Sequence, residues 1–536
     1  MAMQYASSTP TLEEEPDSSW PVAEHPKPSP KLYSVRKLIL GSASRVIYLG
    51  LVTFIGLFLT PFTVRTLGAE QFGLWALANA FIGYYSILDL GLSGAVFTHM
   101  SHALGARDAQ AGSRIYSTGL VMFAAAGGIV LIITLFLAAV MPQISHAHNI
   151  GLILLICGTL AAISFPMRAP YGVLNAGSHF EVTSWINIFA AVIRTGATVY
   201  VLLHGYGVVG LALAQLFASI PGYICVLIAV HIKYPFIRFH IRNAWDRVTA
   251  RKLSKFALPV LVGQIADRLR LQSDALIVSF AIGLTAVAHY NVATTLVMYY
   301  TDGVMALVGV ITPIIAMQHS AGDSAGMLRS FFAGTRASIV IGAFAGFGII
   351  AIGHAFIARW MGNIFLDAYP VLILLTVAMF FDLWQSTGVS SLYATMNQKS
   401  YARINLLEAG MNVVLSFMFV HRYGMLGVAM GTLIPGICVR AVVQPWIVQK
   451  KLGISMKHYL LSSGRTLLKC FVCLIAPGFV VMRWLRADYL SILTTSLLCL
   501  LLFAFPMWIW EFQGVGYQRV RAMLRGHLLN ISGEPT

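Results

Sequence analysis

Apolar stretches of about twenty residues follow one another from Val46 to Trp510, separated by short polar connections. A helix needs about twenty residues to cross the hydrocarbon core of a bilayer. The sequence lacks the strict apolar–polar alternation that membrane β-strands require. The pattern therefore predicts an all-α integral membrane protein with about 14 transmembrane helices. The predicted spans are residues 46–64, 73–98, 115–140, 150–173, 183–203, 207–230, 256–281, 285–315, 337–358, 368–394, 404–421, 425–448, 465–482 and 489–510.

The composition agrees with a chain that is solvated by lipid. Hydrophobic residues make up 58% of the 536 positions and charged residues only 10%. The mean hydropathy is +0.76. Soluble globular domains contain about 25% charged residues, so a soluble fold is excluded.

The positions of the basic residues indicate the topology. The net charge of +16 arises from 36 Lys and Arg residues, 26 of which fall on the side that holds both termini. By the positive-inside rule both termini are cytoplasmic, and we expect a bacterial inner-membrane protein. The basic surplus then indicates contact with anionic membrane lipids, and no nucleic-acid partner is expected. The basic residues on the other side are Arg65, Arg359, Arg422, Arg483 and Arg486.

An internal repeat divides the membrane region into two halves. A Tyr-Tyr pair that begins at Tyr84 recurs at Tyr299, 215 residues later. A Tyr-Gly-x-x-Gly-x-Ala motif that begins at Tyr206 recurs at Tyr423, 217 residues later. Six spans separate equivalent points, so the halves have parallel topology. Two such halves enclose a central cavity that opens to either side as one half rocks against the other.

The repeat gives a division of the chain into five segments. We expect the Pro-rich N-terminal segment to be a disordered cytoplasmic tail, because it lacks the apolar core of a signal peptide. Two helices beyond the repeat complete the bundle. The segments are a tail at 1–33, a first six-helix half at 34–232, a basic cytoplasmic connector at 233–255, a second six-helix half at 256–450, and two additional helices with a cytoplasmic tail at 451–536.

Eleven acids and arginines lie inside the predicted spans, not counting Arg465 and Lys469 at the mouth of the thirteenth span. A charge in the hydrocarbon region is costly, so each is expected to face a partner or a wet cavity. The acidic members are Asp89, Asp267, Asp274, Asp302, Asp382 and Glu408, and the basic members are Arg168, Arg194, Arg268, Arg270 and Arg440.

The seventh span carries four of these charges. Asp267, Arg270 and Asp274 fall on one helix face, with the acids at i−3 and i+4 from the arginine, so the arginine is predicted to be neutralised within its own helix. Arg268 lies off that face and has no acidic neighbour at these spacings. It is the best candidate for contact with an anionic cargo.

Two roles are open for the intramembrane charges. The arginines, together with Tyr84 and Tyr299, suit a cavity that binds a sugar joined to phosphate, since arginine donates bidentate hydrogen bonds to phosphate. The acids either bind a coupling H⁺ or Na⁺ or only balance the arginines. The predicted cavity residues are Arg268, Arg194, Arg270, Arg168, Arg440, Tyr84 and Tyr299, and the predicted coupling or balancing residues are Asp89, Asp274, Asp302, Asp382 and Glu408.

Two segments carry a resemblance to a known family. The run Arg-Thr-Leu-Gly-Ala-Glu-Gln-Phe-Gly-Leu-Trp at 65–75, followed by Leu-Asp-Leu-Gly-Leu-Ser at 88–93, resembles the helix-two region of Wzx-like oligosaccharide flippases. The run Asp-Ala-Leu-Ile-Val at 274–278, with Gly283 and Tyr290, resembles their helix-seven to helix-eight segment. The resemblance covers about residues 35–450. These flippases belong to the polysaccharide transporter family of the MATE/MOP superfamily, which also contains multidrug extruders and the lipid II flippase.

The resemblance implies a transporter of undecaprenyl-pyrophosphate-linked oligosaccharide repeat units. Such proteins move their cargo from the cytoplasmic to the periplasmic leaflet for surface polysaccharide synthesis, such as lipopolysaccharide or exopolysaccharide, through a cationic lumen and with an ion gradient. By this analogy Arg268 and Arg194 would meet the pyrophosphate or an acidic sugar. The expected partners are the lipid-linked oligosaccharide, membrane lipids and other polysaccharide-assembly membrane proteins.

Three alternatives remain at this stage. A cation-coupled multidrug extruder and a lipid II flippase belong to the same superfamily, although the two additional helices and the intramembrane arginines favour an anionic lipid-linked cargo. A glycan polymerase or ligase would need a large periplasmic loop, and the predicted connections on that side are short. The six cysteines lie in apolar spans, so neither a metal site nor a resident cofactor is expected.

Overall fold

The computed structural model describes residues 35–145, 149–239, 245–309, 311–395, 397–508 and 510, and these ranges are almost entirely helical. Short 3₁₀ segments at Ser86–Asp89 and Asn363–Phe365 and a π-helical segment at Gly436–Val443 accompany the α-helices. The α-helices are α1 (Val35–Leu67), α2 (Ala69–Tyr85), α3 (Leu92–Gly105), α4 (Ala109–Ser145), α5 (Ile150–Ala176), α6 (Phe180–Leu203), α7 (Gly207–Lys233), α8 (Arg247–Ala281), α9 (Leu284–Val308), α10 (Ile311–Ser320), α11 (Ser324–Trp360), α12 (Ala368–Trp384), α13 (Ser386–Ala394), α14 (Gln398–Tyr423), α15 (Met425–Pro435), α16 (Gln444–Leu452), α17 (Met456–Trp484) and α18 (Tyr489–Met507).

The all-α membrane architecture is confirmed. Among the described residues, 11 helical segments are long and apolar enough to span a bilayer, and 13 if α2–α3 and α9–α10 each form one bent span. Helix α8 corresponds to the predicted seventh span. It is not among these apolar segments, because its second half carries four charged residues. The count of 14 stays a prediction.

Two broken spans occupy equivalent places in the predicted repeat. Helices α2 and α3 meet at 44°, and α9 and α10 meet at 41°. The first break contains Leu90 and Gly91, whose φ angles of 51° and 74° are left-handed. This conformation cannot continue a right-handed helix, so α2 ends and α3 starts in a new direction. A shared break at matching positions is what a duplicated fold is expected to contain.

The two halves are packed together on one side of the bundle. We call the side that holds the starts of α1 and α8 the terminal side, and the side that holds their ends the opposite side. On the opposite side Val64 and Phe72 of the first half share one apolar core with Val287 and Trp360 of the second half. The Arg65 guanidinium also donates to the Trp360 carbonyl oxygen at 3.2 Å. These contacts close the bundle on the opposite side.

The basic connector is partly helical. Helix α8 already begins at Arg247, so the predicted connector, which reaches residue 255, overlaps its first two turns. Asp246 caps this helix, because its carboxylate accepts hydrogen bonds from the amides of Val248 and Thr249. The predicted tails at 1–33 and after residue 510 lie outside the described residues.

The two C-terminal helices pack beside the second half. Helices α17 and α18 contact each other, and both contact α11. The rings of Phe344 in α11 and Phe503 in α18 stack with centroids 4.8 Å apart. The additional helices therefore extend the bundle on one flank of the second half.

Candidate functional site

An ion pair between a half-buried arginine and a buried carboxylate joins two helical segments in the first half. The Arg168 guanidinium lies 2.7 Å from the Asp89 carboxylate, which also accepts a hydrogen bond from the Ser93 hydroxyl at 2.6 Å. Asp89 ends the 3₁₀ turn that breaks the second span, so the break itself positions this carboxylate. The Arg168 guanidinium also lies over the Phe165 ring at 4.1 Å. Asp89 is therefore neutralised by Arg168, as the charge-balancing interpretation predicts.

Arg168 also lines a small polar pocket. The pocket has a volume of about 190 Å³ and includes Asn79, Ser86, Ser164 and Gln215. Donors and acceptors of this kind suit a hydroxylated ligand, since sugars are recognised by hydrogen bonds from such groups.

Arg440 is enclosed in the second half. It lies in the π-helical segment, its side chain is 0% exposed, and its Nε is 2.6 Å from Glu408 and 3.2 Å from Asp382. Its two terminal nitrogens donate to Gln444 at 2.7 Å and to Asn405 at 2.8 Å. In this conformation every terminal nitrogen of Arg440 is engaged and the side chain has no exposed surface, so Arg440 is held within the protein. Its place among the cavity residues stays a prediction.

Arg270 belongs to the same cluster. Its guanidinium lies 3.4 Å from Asp382 and 3.3 Å from Glu408, two acids on other helices. The prediction of neutralisation within α8 is therefore corrected, whereas the place of Arg270 among the cavity residues stays a prediction. A partner on a neighbouring helix can approach a buried guanidinium directly, whereas an i+4 pair on one helix contributes only about 0.2–0.5 kcal/mol. We call Arg270, Asp382, Glu408 and Arg440 the charge cluster.

The two acids of α8, Asp267 and Asp274, have neutral hydrogen-bond partners on other helices. Asp267 accepts a hydrogen bond from the Asn405 side-chain amide at 2.7 Å. Asp274 accepts from the Tyr290 hydroxyl at 2.6 Å and from the Thr432 hydroxyl at 3.0 Å, both through Oδ2. These contacts join α8 to α14, α9 and α15.

Asp274 differs from the other buried acids of this half. It is 7% exposed, and no arginine, lysine or histidine among the described residues forms an ion pair with it. Its Oδ1 is buried and has no hydrogen-bond partner in the described chain. Asn412 lies beside it and donates to Thr432 at 2.8 Å. The result is a buried carboxylate surrounded by neutral hydroxyl and amide groups.

Three predicted residues have no fixed partner. Arg194 and Asp302 are exposed and Arg268 is half-buried. None of the three forms an ion pair or a hydrogen bond with another residue that the structure describes. They are available to a ligand, and the role of Arg268 as the main cargo cation stays a prediction.

The two tyrosines of each Tyr-Tyr pair differ in their contacts. Tyr85 accepts a hydrogen bond from Thr134 at 2.9 Å, and Tyr300 donates to the Gly342 carbonyl oxygen at 2.9 Å, so the second tyrosine of each pair is held inside its own half. Tyr84 and Tyr299, the two predicted cavity residues, are half-buried.

A large apolar cavity lies between α1, α9, α11 and α18. Its volume is about 970 Å³, and Tyr299 and Tyr300 are among its few polar lining groups. Along α11 it extends from Val340 to Phe356, and along α18 from Ile492 to Met507, with Trp508 just beyond that helix. Sixteen residues of helix rise about 24 Å, so the cavity is nearly as long as the hydrocarbon core is thick.

Sequence reasoning missed this cavity. The two C-terminal helices lie outside the repeat, so no repeat-based argument assigned them a binding role. The one available signal was the row of small residues Gly348, Gly353 and Ala345 on α11, which leaves room beside that helix.

Residues 42–319, just over half of the chain, match the sequence profile of a family described as polysaccharide biosynthesis protein. The chain belongs to this family. The chain is also similar to the uncharacterized membrane protein EpsK of Bacillus subtilis, which is 24% identical over 77% of this chain and 83% of its own. The probable flippase AglR of Haloferax volcanii is 22% identical over 71% of this chain and 77% of its own. The family resemblance found in the sequence is thereby confirmed.

Solved structures confirm the fold. The lipid II flippase MurJ, in an inward closed conformation, has a TM-score of 0.65 at 17% identity, covering 86% of this chain and 98% of that one. A multidrug resistance MATE transporter of the MOP superfamily, in an inward-facing conformation, has a TM-score of 0.63 at 15% identity, covering 78% and 99%. The chain thus combines the MOP superfamily fold with membership of a polysaccharide biosynthesis family.

Proposed function

We propose that the protein flips undecaprenyl-pyrophosphate-linked oligosaccharide repeat units from the cytoplasmic to the periplasmic leaflet of a bacterial inner membrane. The observation that carries this proposal is the apolar cavity along α11 and α18. It runs about 24 Å along α11, so it suits an extended isoprenoid chain better than a compact drug molecule. Its length is close to the thickness of the hydrocarbon core, where that chain resides.

The polar groups that remain available to the cargo suit the pyrophosphate and sugar end of such a lipid. Arg268 and Arg194 have no fixed partner in the described chain, and a guanidinium binds phosphate through two parallel hydrogen bonds. The polar pocket beside Arg168 offers amides and hydroxyls to a sugar. The names of MurJ and AglR as flippases support the same assignment.

The remaining parts of the proposal concern setting and mechanism. Both termini face the cytoplasm, because the basic residues concentrate on the terminal side. The halves alternate access by rocking about the closed opposite side. Other membrane proteins of polysaccharide assembly supply and receive the cargo, and no covalent chemistry takes place on this chain.

Deletion of the gene in its host tests the cargo directly. Lipid-linked intermediates and surface polysaccharide are extracted and analysed by mass spectrometry, with the wild-type gene restored on a plasmid as control. We expect a complete undecaprenyl-linked repeat unit to accumulate and the polymer to disappear. Intact surface polysaccharide together with new drug sensitivity would instead identify an extruder, and accumulation of lipid II would identify a peptidoglycan precursor flippase.

We propose further that a coupling cation, a proton or Na⁺, binds at Asp274. A buried carboxylate oxygen without a hydrogen-bond partner is costly unless a cation or proton satisfies it. Hydroxyl, amide and carboxylate oxygens are the ligands that hard cations prefer. Asp382 and Glu408 already face arginines in the charge cluster, and Asp89 faces Arg168, so they balance charge.

Asp274→Asn tests the coupling role. The protein is reconstituted in vesicles, and flipping of a lipid-linked saccharide is measured with and without an imposed proton or Na⁺ gradient. We expect the gradient to accelerate the wild type but not Asp274→Asn, while Asp302→Asn, at an exposed carboxylate, keeps the response. Thermal unfolding measured against Na⁺ concentration gives an independent reading of binding. A full gradient response in Asp274→Asn would remove Asp274 from the coupling mechanism.

A further inference from the structure

The apolar cavity has an arginine at its end on the opposite side. Phe356 and Ile492 are the last cavity residues of α11 and α18 on that side. Arg359 lies three residues beyond Phe356, and Tyr489 lies three residues before Ile492. Residues at this spacing share a helix face, so both extend the two rows that line the cavity. Arg359 and Tyr489 therefore mark the mouth of the cavity.

Arg359 is held at this mouth by an aromatic ring. Its guanidinium carbon lies 4.8 Å from the centre of the Tyr489 ring, a cation–π contact. The side chain is exposed, and it forms no ion pair with any carboxylate of the described chain, including the neighbouring Asp488. The stacked guanidinium is thus fixed in place while its hydrogen-bond donors stay available.

The charge around this mouth favours an anion. Arg483 lies in the last turn of α17, Arg486 lies in the short connection between α17 and α18, and Asp488 is the one acid in that connection. Helix α11 ends at Trp360 and α18 begins at Tyr489, which places the site at the membrane interface, where aromatic residues mark the headgroup level. A guanidinium donates two parallel hydrogen bonds to phosphate, so an arginine beside a cleft between membrane helices is suited to hold a phosphorylated lipid headgroup.

We propose that Arg359, stacked on Tyr489, is a binding site for the phosphate of a polyprenyl lipid whose tail occupies the apolar cavity. The guanidinium binds two phosphate oxygens, and the cavity receives the chain directly below. Because the site lies on the opposite side, it holds the lipid after translocation and before release. The proposal rests on the proposed function and adds where the headgroup docks.

Arg422 provides a matched control. It also lies on the opposite side, and its guanidinium carbon is 5.6 Å from the centre of the Tyr423 ring. It lies in the last turn of α14, a helix that does not line the cavity. A general effect of removing a stacked surface arginine would therefore appear equally in Arg422→Gln.

The experiment compares two lipids on purified protein in nanodiscs. Affinities for undecaprenyl phosphate and for undecaprenol, which has the same tail without phosphate, are measured by native mass spectrometry for wild type, Arg359→Gln and Arg422→Gln. We expect Arg359→Gln to lose about tenfold of its preference for the phosphorylated lipid, since one charge-assisted hydrogen-bonded pair is removed. Binding of undecaprenol is expected to stay unchanged in all three proteins.

Either of two results would overturn the proposal: wild-type preference in Arg359→Gln, or an equal loss in Arg422→Gln. A photoreactive group placed next to the phosphate of the lipid repeats the test on the wild-type chain, where folding is not in question. Labelling is expected within residues 356–360 and 486–492, and labelling confined to other segments would also contradict the site. Intact surface polysaccharide after gene deletion, by contrast, would contradict the proposed saccharide cargo but not the binding of a polyprenyl phosphate at Arg359.

Discussion

Arg440 shows how much of this protein's polar chemistry is structural. Its side chain has no exposed surface and contacts two acids, an asparagine and a glutamine. Removing one partner from such a cluster leaves an uncompensated charge, which costs about 3–5 kcal/mol in buried ion pairs. We therefore expect Arg440→Ala to lower thermal stability in detergent strongly and to reduce the yield of folded protein.

The matched change is Arg194→Ala, at an exposed arginine without an ion pair among the described residues. It is expected to keep the wild-type unfolding temperature. Equal unfolding temperatures for Arg440→Ala and Arg194→Ala would show that the charge cluster contributes nothing to stability.

Arg268 gives the contrasting prediction for a cargo residue. Because it is half-buried and without a fixed partner in the described chain, Arg268→Ala should leave folding intact and abolish export of the saccharide. Export is measured as surface polysaccharide in the deletion strain that carries the variant. Arg251→Ala, an exposed position at the start of the same helix, serves as control. Normal export with Arg268→Ala would remove that residue from the mechanism.

At this scale the sequence predicted which residues matter better than it predicted their contacts. The charges of α8 were identified from their cost in lipid alone. The partners of these charges could not be identified in the same way. Asp382, Asn405 and Glu408 lie more than a hundred residues away, and no local spacing encodes a contact between helices. The i−3 and i+4 pattern suggested the wrong partners for Arg270 for this reason.

Among the helices, α8 has the clearest start signal. The Asp246 carboxylate accepts three hydrogen bonds from Val248 and Thr249. The side-chain hydrogen bond from Thr249 is the largest influence that lowers the pKa of Asp246, followed by burial, which opposes it, and by the amides. A lowered pKa means that the cap stabilises the helix at neutral pH and is lost as the pH falls through that pKa.

Asp246→Ala is expected to loosen the first turn of α8 by about 1 kcal/mol, the usual cost of losing an N-cap. Hydrogen exchange of the amides at 248–250 measures the effect, which should be present at neutral pH and absent in strong acid. Asp488 precedes α18 without a side-chain capping bond, so Asp488→Ala should change exchange at the start of that helix little. Unchanged exchange in Asp246→Ala would contradict the capping role.

Hydropathy largely predicted where the helices lie, but it did not predict where they break. Each predicted span contains helix, because a run of twenty apolar residues has few alternatives in lipid. The bend after α2 depends on Leu90, a residue that rarely adopts positive φ. Its left-handed conformation follows from the surrounding packing, so sequence alone predicted one continuous span.

Across the whole molecule, the close approach of α2 and α9 controls how the halves meet. Gly73 lies against the Leu284 carbonyl oxygen, and a Cβ at this position would collide with that backbone. Gly73→Ala must therefore separate the halves on the opposite side, at an overpacking cost of about 1–3 kcal/mol. We expect faster hydrogen exchange at residues 284–288 in the variant.

The control for this change is Gly128→Ala. Gly128 is also helical, and a Cβ there would meet no neighbouring atom. It should leave exchange at 284–288 as in the wild type. Equal hydrogen-exchange rates at residues 284–288 in Gly73→Ala and in the wild type would show that the halves are not held together at this contact.

The overall plan was predictable in outline from the repeat, and the cavity was not. Equal spacing of the tyrosine pairs implied two related halves, and the bends in α2–α3 and α9–α10 occur at matching places. The apolar cavity arises where α18 stands off from α11 and α1. That gap is set by the packing of three helices from different parts of the chain, which no single periodic pattern records.

The charge cluster also has a consequence for how the chain is made. Arg270 reaches the membrane during synthesis before Glu408, its partner 138 residues later, exists. At ordinary rates of translation this interval is roughly 7–28 s. During that time a helix with four charges cannot rest in lipid alone, and α2, α3 and α4, which it contacts in the finished protein, are already present. Biogenesis of the second half therefore begins on the surface of the first, and the order of the halves along the gene cannot be exchanged freely.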